Sequence, residues 1–312
     1  MSPLLLLFAG AVAALAPRLA AADWPVRAPR LAVLVWLALT SAMVSSVALA
    51  GLSLALYWDR THDLVDGAWH ICLDALLGHH GWPGRVAAAA GLLGLVLLAA
   101  RLALSAWRLL GAQRARRAQL RLLVRVAAVP GALPGATVID HHEPAAYLMP
   151  GGADIIITSA AVERLDEAEL SAVLAHERAH HAGRHYALTH WMRLLSQAFP
   201  WVRCLQLGRR QVDRLVELCA DDRATRSSSR LDVARALVTM AQPTSSSPPD
   251  GLLAIHPGDS MERLQRLLTP PPALSRTRKA LLHGAVATLL LAPIGLATVD
   301  RYAAWLPNLL PL

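Results

Sequence analysis

Four stretches of this chain are apolar for longer than a water-facing helix allows. Leu31 to Tyr57 runs without a single charge, and Val86 to Trp107 is interrupted only by Arg101, which lies near enough to its end to snorkel. The last apolar run extends from about Ala280 to Val299, with His283 near its start, and the first from Ser2 to about Ala22, with Pro17 and Arg18 in its last turns. Crossing a bilayer takes about 20 helical residues. The pattern therefore predicts four transmembrane helices, at about 2–22, 31–57, 86–107 and 280–299. No Lys or Arg precedes the first run, whereas a signal peptide opens on a basic segment. It is expected to stay as a helix despite the small residues at Ala20–Ala22.

The placement of arginine orients these helices, because basic loops stay on the cytoplasmic side. Arg18, Arg27 and Arg30 follow the first run, Arg108 to Arg125 the third, and Arg276, Arg278 and Lys279 precede the fourth. The 58–85 loop instead carries Asp59, Asp63, Asp66 and Asp74 against Arg60 and Arg85. Both termini are then expected outside and the long segment 109–279 in the cytoplasm. The expected division is a membrane region at 1–108, a cytoplasmic domain at 109–279, and a last helix with a short external tail at 280–312.

Between the third and fourth runs the period changes. Arg114 to Val126 is Arg-rich and Leu-periodic, which suits an interfacial helix or a continuation of the third span. Pro130–Gly131 and Pro134–Gly135 break it. Thr137–Asp140, Ala145–Met149 and Ala153–Thr158 read as short strands of a small sheet, with a turn at Pro150–Gly152. After Ser159 the pattern is helical: Asp166 with Glu169 forms a capping-box signature ahead of Leu170, Val173 and Leu174. Further helices are expected at Tyr186–Phe199, Val202–Arg226, Leu231–Gln242 and Ser260–Leu268, with Pro243–Gly251 as a loop. No internal repeat is visible.

Composition agrees with lipid as solvent: 55% of residues are hydrophobic and 17% charged, and the mean hydropathy is +0.40. That excludes a disordered chain and argues against an ordinary water-soluble globule. A net charge of +8 would suggest nucleic acid in a soluble protein. Here Arg-rich cytoplasmic loops account for it, and no direct nucleic-acid contact is expected because no nucleic-acid module accompanies the charge. Cys72, Cys204 and Cys219 make no metal-type pair and no disulfide framework.

The chemistry concentrates at His176–Glu177–Arg178–Ala179–His180. A four-residue spacing puts both imidazoles on one helix face, where both reach a single Zn²⁺, and sets Glu177 where a carboxylate can take a proton from a water. A third ligand is needed. His181, His185 and His190 lack the spacing of HExxHxxGxxH sites, whose last position is occupied here by Tyr186. The alternative is a carboxylate on a later helix: Glu217, with Asp221 four residues on as a group that orients an imidazole. Asp222 is rotated off that face and reads as a bystander. His79–His80 and His141–His142 read as solvated loop histidines, Cys219 as core, and Trp58, Trp69 and Trp82 as an interfacial aromatic belt.

With Tyr147–Gly152, Ile155–Ser159, Leu165–His180, Glu217–Ala224, His256–Pro257 and Arg263–Leu264, these motifs make the chain resemble the gluzincin membrane proteases of the BlaR/MecR type and, more distantly, HtpX. Three spans, a protease domain and a fourth span match the BlaR/MecR antirepressors. The resemblance implies a four-helix membrane protein with a cytoplasmic α+β gluzincin domain between helices three and four. It implies one Zn²⁺ per chain on His176, His180 and Glu217, with Glu177 as general base and Asp221 behind the ligands. It also implies that Ile155, Ile156, Ile157 and Thr158 lie at the substrate edge, where an extended peptide pairs by β-augmentation. Pro144 stands before Ala145–Ala146 where the family often has Asn, and the chain ends at Leu312 without a penicillin-binding sensor domain, so the β-lactam signal does not carry over. The expected function is a zinc endopeptidase of the cell membrane, with the bilayer and a protein substrate, such as a cytoplasmic transcriptional repressor, as partners. An HtpX-like quality-control protease and a non-catalytic signalling scaffold are the alternatives.

Overall fold

Long apolar sequence, with little to satisfy backbone groups except its own hydrogen bonds, folds as helix. In the computed structural model, which describes residues 2–55, 82–129, 133–149, 152–242 and 257–303, the apolar runs are helices α1 (Ser2–Ala20), α3 (Pro29–Ala55), α4 (Trp82–Ala127) and α11 (Arg276–Ala303), with a short α2 (Trp24–Arg27) after α1. Each of the four is long and apolar enough to cross a membrane. Apolar side chains stand exposed along α4 (Leu92, Leu93, Val96, Leu97) and α11 (Leu281, Leu290, Leu291, Ile294). Contiguous exposed leucine of this kind is stable only against lipid or a partner, and with four helices of spanning length it suggests membrane association. The expectations for the 58–85 loop up to residue 81, for the 243–256 loop and for the tail beyond residue 303 lie outside the described residues.

Of the two readings of Arg114–Val126, continuation holds. α4 is one helix of 46 residues, at 1.5 Å per residue about twice the apolar thickness of a bilayer. The boundary expected at 108/109 thus falls inside a helix. Beyond α4 comes a sheet of β1 (Ala128–Val129), β2 (Thr137–Ile139), β3 (Ala146–Leu148) and β4 (Ile155–Thr158), then α5 (Ser159–Arg164), α6 (Glu167–Ala182), α7 (His185–Ala198), α8 (Arg203–Ala224), α9 (Arg230–Ala241) and α10 (Pro257–Leu268). The sheet order is β1-β2-β4-β3, with β2 parallel and β3 antiparallel to β4. Successive strand side chains point to opposite faces. Ile156 accordingly packs with Leu120 of α4 and Ile139, while Ile157 packs on the other face with Ala161, Leu165, Ala172 and Val233.

A second core joins the apolar helices to the domain. Val12 and Ala16 of α1, Trp36 and Leu39 of α3, Met192 and Leu195 of α7, and Leu205, Val212 and Leu215 of α8 are buried together. The close approach depends on Gly208, where a Cβ would come within 2.7 Å of Met192 Cε and 3.2 Å of Thr40 Cγ2. α8 is therefore shared: its first half lies against α1 and α3, and its second half reaches the chemistry of α6.

Candidate metal centre

α6 starts where the sequence signature places it. The Asp166 carboxylate accepts from the Glu169 N–H at 2.7 Å, and the Asp166 N–H donates back to Glu169 at 3.2 Å. This capping box sets the phase of the helix and so the face on which His176 and His180 stand. Their Nε2 atoms are 3.1 Å apart. From α8, Glu217 brings one carboxylate oxygen to 3.5 Å from His176 Nε2 and the other to 3.6 Å from His180 Nε2. Two donors of a tetrahedral zinc ion, each about 2 Å from the metal, lie about 3.3 Å apart. The imidazole pair and each imidazole–carboxylate contact lie close to that edge, and one donor atom from each of the three residues falls within 4.8 Å of the others, so the donor set fits a divalent ion. No other such group of three exists among the described residues.

Each ligand is oriented from behind. His176 Nδ1 is 3.0 Å from Asp221 Oδ1, which leaves Nε2 to face the metal position. Asp221 is 1% exposed, and its carboxylate accepts two hydrogen bonds of 2.8 Å from the Arg263 guanidinium of α10. Arg263 also lies 3.2 Å from Glu217. His180 Nδ1 meets His185 Nδ1 at 3.1 Å; with the His180 Nε2 lone pair toward the metal, its Nδ1–H donates to His185. The chain reverses within two residues to make that contact. Arg184 takes a left-handed conformation at φ 50°, and Gly183 leaves the space that the His185 ring fills.

The electrostatics follow from this packing. Burial pushes the Glu177 carboxyl up, and the neighbouring Glu217 charge adds to it, against the opposing pull of His176, so that its pKa rises to about 7. That is the range a general base uses near neutrality. Burial alone would push the His176 imidazolium down, but hydrogen bonds to Asp221 and Glu217 outweigh it and raise its pKa to about 10. His180 and His185, more weakly supported by carboxylates, are driven down by burial to about 3 and about 4. Burial opposes ionisation of Glu217 too, yet the imidazoles and Arg263 hold it at about 2. Asp221 is held below the usual carboxylate range for the same reason, with Arg263 as the largest opposing charge.

The structure thus brings together His176, Glu177, His180, Glu217 and Asp221. It does not bring Ile155–Thr158 to an edge. That strand is central, paired on both sides, and Ile155, Ile156 and Ile157 are at most 2% exposed. Three buried β-branched residues make an interior strand, and among the described residues the unpaired edge beside α6 belongs to β3, which packs against that helix. Asp222 is off the metal face as expected, but it is no bystander. Arg266 donates to it at 2.6 and 2.9 Å and to the Val26 carbonyl at 2.9 Å, tying α8 and α10 to α2. Arg263 and His185 were not expected at the site as partners of ligands; the signal for Arg263 was its place, with Leu264, among the motifs that carry the family resemblance. His141 and His142 are exposed and stacked on each other, and Cys219 is buried core.

Residues 112–212 match Peptidase family M48. No curated protein and no solved structure matches the chain. The matched segment carries the sheet, α6 with both histidines, α7 and the first half of α8, and stops five residues short of Glu217. Together with the donor triangle, the match indicates a protease, a hydrolase of the metalloprotease kind.

Proposed function

We propose that the chain is a membrane-embedded zinc endopeptidase that cleaves a cytoplasmic or membrane-bound regulatory protein. The carrying observation is the cluster of His176, His180 and Glu217, whose donor atoms lie within 4.8 Å of one another, beside a Glu177 whose pKa is raised to about 7. A zinc ion held there would polarise the scissile carbonyl and acidify a water. Glu177 takes the proton of the attacking water and delivers it to the leaving amine. Asp221 holds the His176 ring in its ligating orientation, and Arg263 keeps both carboxylates ionised. An extended peptide adds to the free edge of β3, which positions its carbonyl beside Glu177. The four apolar helices span the bilayer, with the 109–279 segment cytoplasmic, as the arginine placement supports.

The test compares cells carrying the intact chain with cells carrying Glu177→Gln by terminal proteomics, with zinc measured on the purified proteins. One zinc per chain in both, with one or a few new protein termini only in the wild type, is the expected result. Termini scattered over many damaged membrane proteins would instead favour quality control, and identical termini in both strains would refute proteolysis through Glu177.

A further inference from the structure

A cavity of about 1010 Å³ opens where α4 meets α7 and α8. Ser105 and Arg108 of α4, Arg193, Ser196 and Gln197 of α7, and Arg209 of α8 line it. Three guanidinium groups thus share one concavity, and among the described residues no carboxylate lines it. Arg209 has an ion pair, with Asp213 at 3.5 Å; among the described residues Arg108 and Arg193 have none. Hydroxyl and amide groups beside the guanidiniums complete a lining able to donate several hydrogen bonds to one anion.

Its height along α4 indicates which anion. The helix is apolar up to Trp107 and turns Arg-rich from Arg108, so the cavity begins at the level where a spanning helix leaves hydrocarbon. Two turns deeper, the α7–α8 connection carries Phe199–Pro200–Trp201. Trp201 is 63% exposed, and the Arg101 guanidinium lies 4.7 Å from its ring centre. Arg101 is seven residues before Arg108, about 10 Å along the helix. An exposed tryptophan stacked with a snorkelling arginine marks the membrane interface, which leaves the three arginines at the depth of lipid phosphates. A basic cavity against a spanning helix on the cytoplasmic side suits an anionic lipid headgroup.

We propose that this cavity binds the headgroup of one anionic phospholipid, seating the α7–α8 hairpin on the bilayer. The inference rests on the membrane insertion of α4 but not on the metal chemistry. The site is joined to the metal centre through α8, which carries Arg209 near one end and Glu217 and Asp221 near the other.

The test uses the full chain purified in neutral detergent, titrated with short-chain phosphatidylglycerol or phosphatidylcholine and read by native mass spectrometry. One phosphatidylglycerol is expected to bind in clear preference to phosphatidylcholine. Arg193→Gln and Arg209→Gln should each weaken it by about fivefold and the pair together by about 25-fold. Zinc content should stay at the wild-type level, and Arg235→Gln, an exposed arginine on α9, should bind as wild type. Equal binding of the two lipids, no loss in the double variant, or displacement by millimolar inorganic phosphate as a soluble ligand would overturn the proposal. Alkaline washing of membranes separates the premises: a chain released by the wash defeats the membrane reading itself, whereas a retained chain without lipid preference defeats only the cavity assignment.

Discussion

The two ends of α8 solve opposite electrostatic problems. At the Glu217–Asp221 end, two ionised carboxylates face one guanidinium, Arg263, within hydrogen-bonding distance of two imidazoles. Once His176 gives up its proton the surplus is negative, the groups are largely buried, and a divalent cation completes it. At the Arg209 end, three guanidiniums line a cavity open to the surface, with no carboxylate in its lining among the described residues. The surplus there is positive, and an anion completes it. The comparison teaches that a charge cluster announces its ligand through what it leaves uncompensated: the histidines and carboxylates are already hydrogen-bonded from behind, so only their forward atoms remain for a metal.

The sharpest way to break this contrast is to remove a forward atom. Replacing His176, His180 or Glu217 with Ala should drop zinc below about one-tenth of an equivalent and abolish cleavage, because three protein ligands are the minimum for a catalytic site. Full occupancy in Glu217→Ala would strike it from the ligand set. Glu177→Gln should keep its zinc and lose about 10²–10⁴-fold in turnover, the range of a lost general base. Metal content and peptide hydrolysis on the same preparations decide both.

A gentler probe is pH. In the metal-free protein His176 has a pKa raised to about 10 by Asp221 and Glu217 against the cost of burial, so at neutral pH it carries the proton that zinc must displace. Zinc affinity should therefore rise with pH, about tenfold per unit up to pH 10. In the metal-free chain the His176–carboxylate interaction stabilises the fold fully below the ordinary imidazole pKa and is lost as pH rises toward 10. A pH-independent zinc affinity between pH 7 and 9 would show that His176 is already deprotonated.

Asp221 and Asp222 provide the finest comparison, since one residue of helix rotation, about 100°, separates a group behind a ligand from a structural tie. Asp221→Asn should weaken zinc by about 10–100-fold. Asp222→Asn should leave zinc affinity unchanged and lower stability by about 1 kcal/mol, because its partly exposed pair with Arg266 is charge-assisted but screened. Thermal denaturation and zinc titration of both variants separate the two roles, and a larger zinc effect at Asp222 would reverse the assignment.

What could be read directly from the chain is what depends on neighbours within a turn or two. The Asp166–Glu169 box, the His176–His180 face, the Glu217–Asp221 pair and the four apolar runs are all periodicities of a single helix, and local sterics and hydrogen bonding determine them. Tertiary structure decided what depends on distant pairing. Ile155–Thr158 and Ala146–Leu148 are both short strands by pattern, and only the order β1-β2-β4-β3 makes the first central and the second an edge. Arg263 lies 42 residues from Asp221, across the 243–256 segment, with no periodicity linking the two. His185 has the wrong spacing for a zinc ligand, and only the left-handed turn at Arg184 brings its ring behind His180. Arg108, Arg193 and Arg209 sit on three different helices, each an ordinary basic residue in its own segment. The helix period reports which face a side chain occupies, whereas which faces meet is set by long-range packing, and in this molecule it is α8 against α1, α3 and α6 that brings the metal ligands together and sets the arginines beside α4.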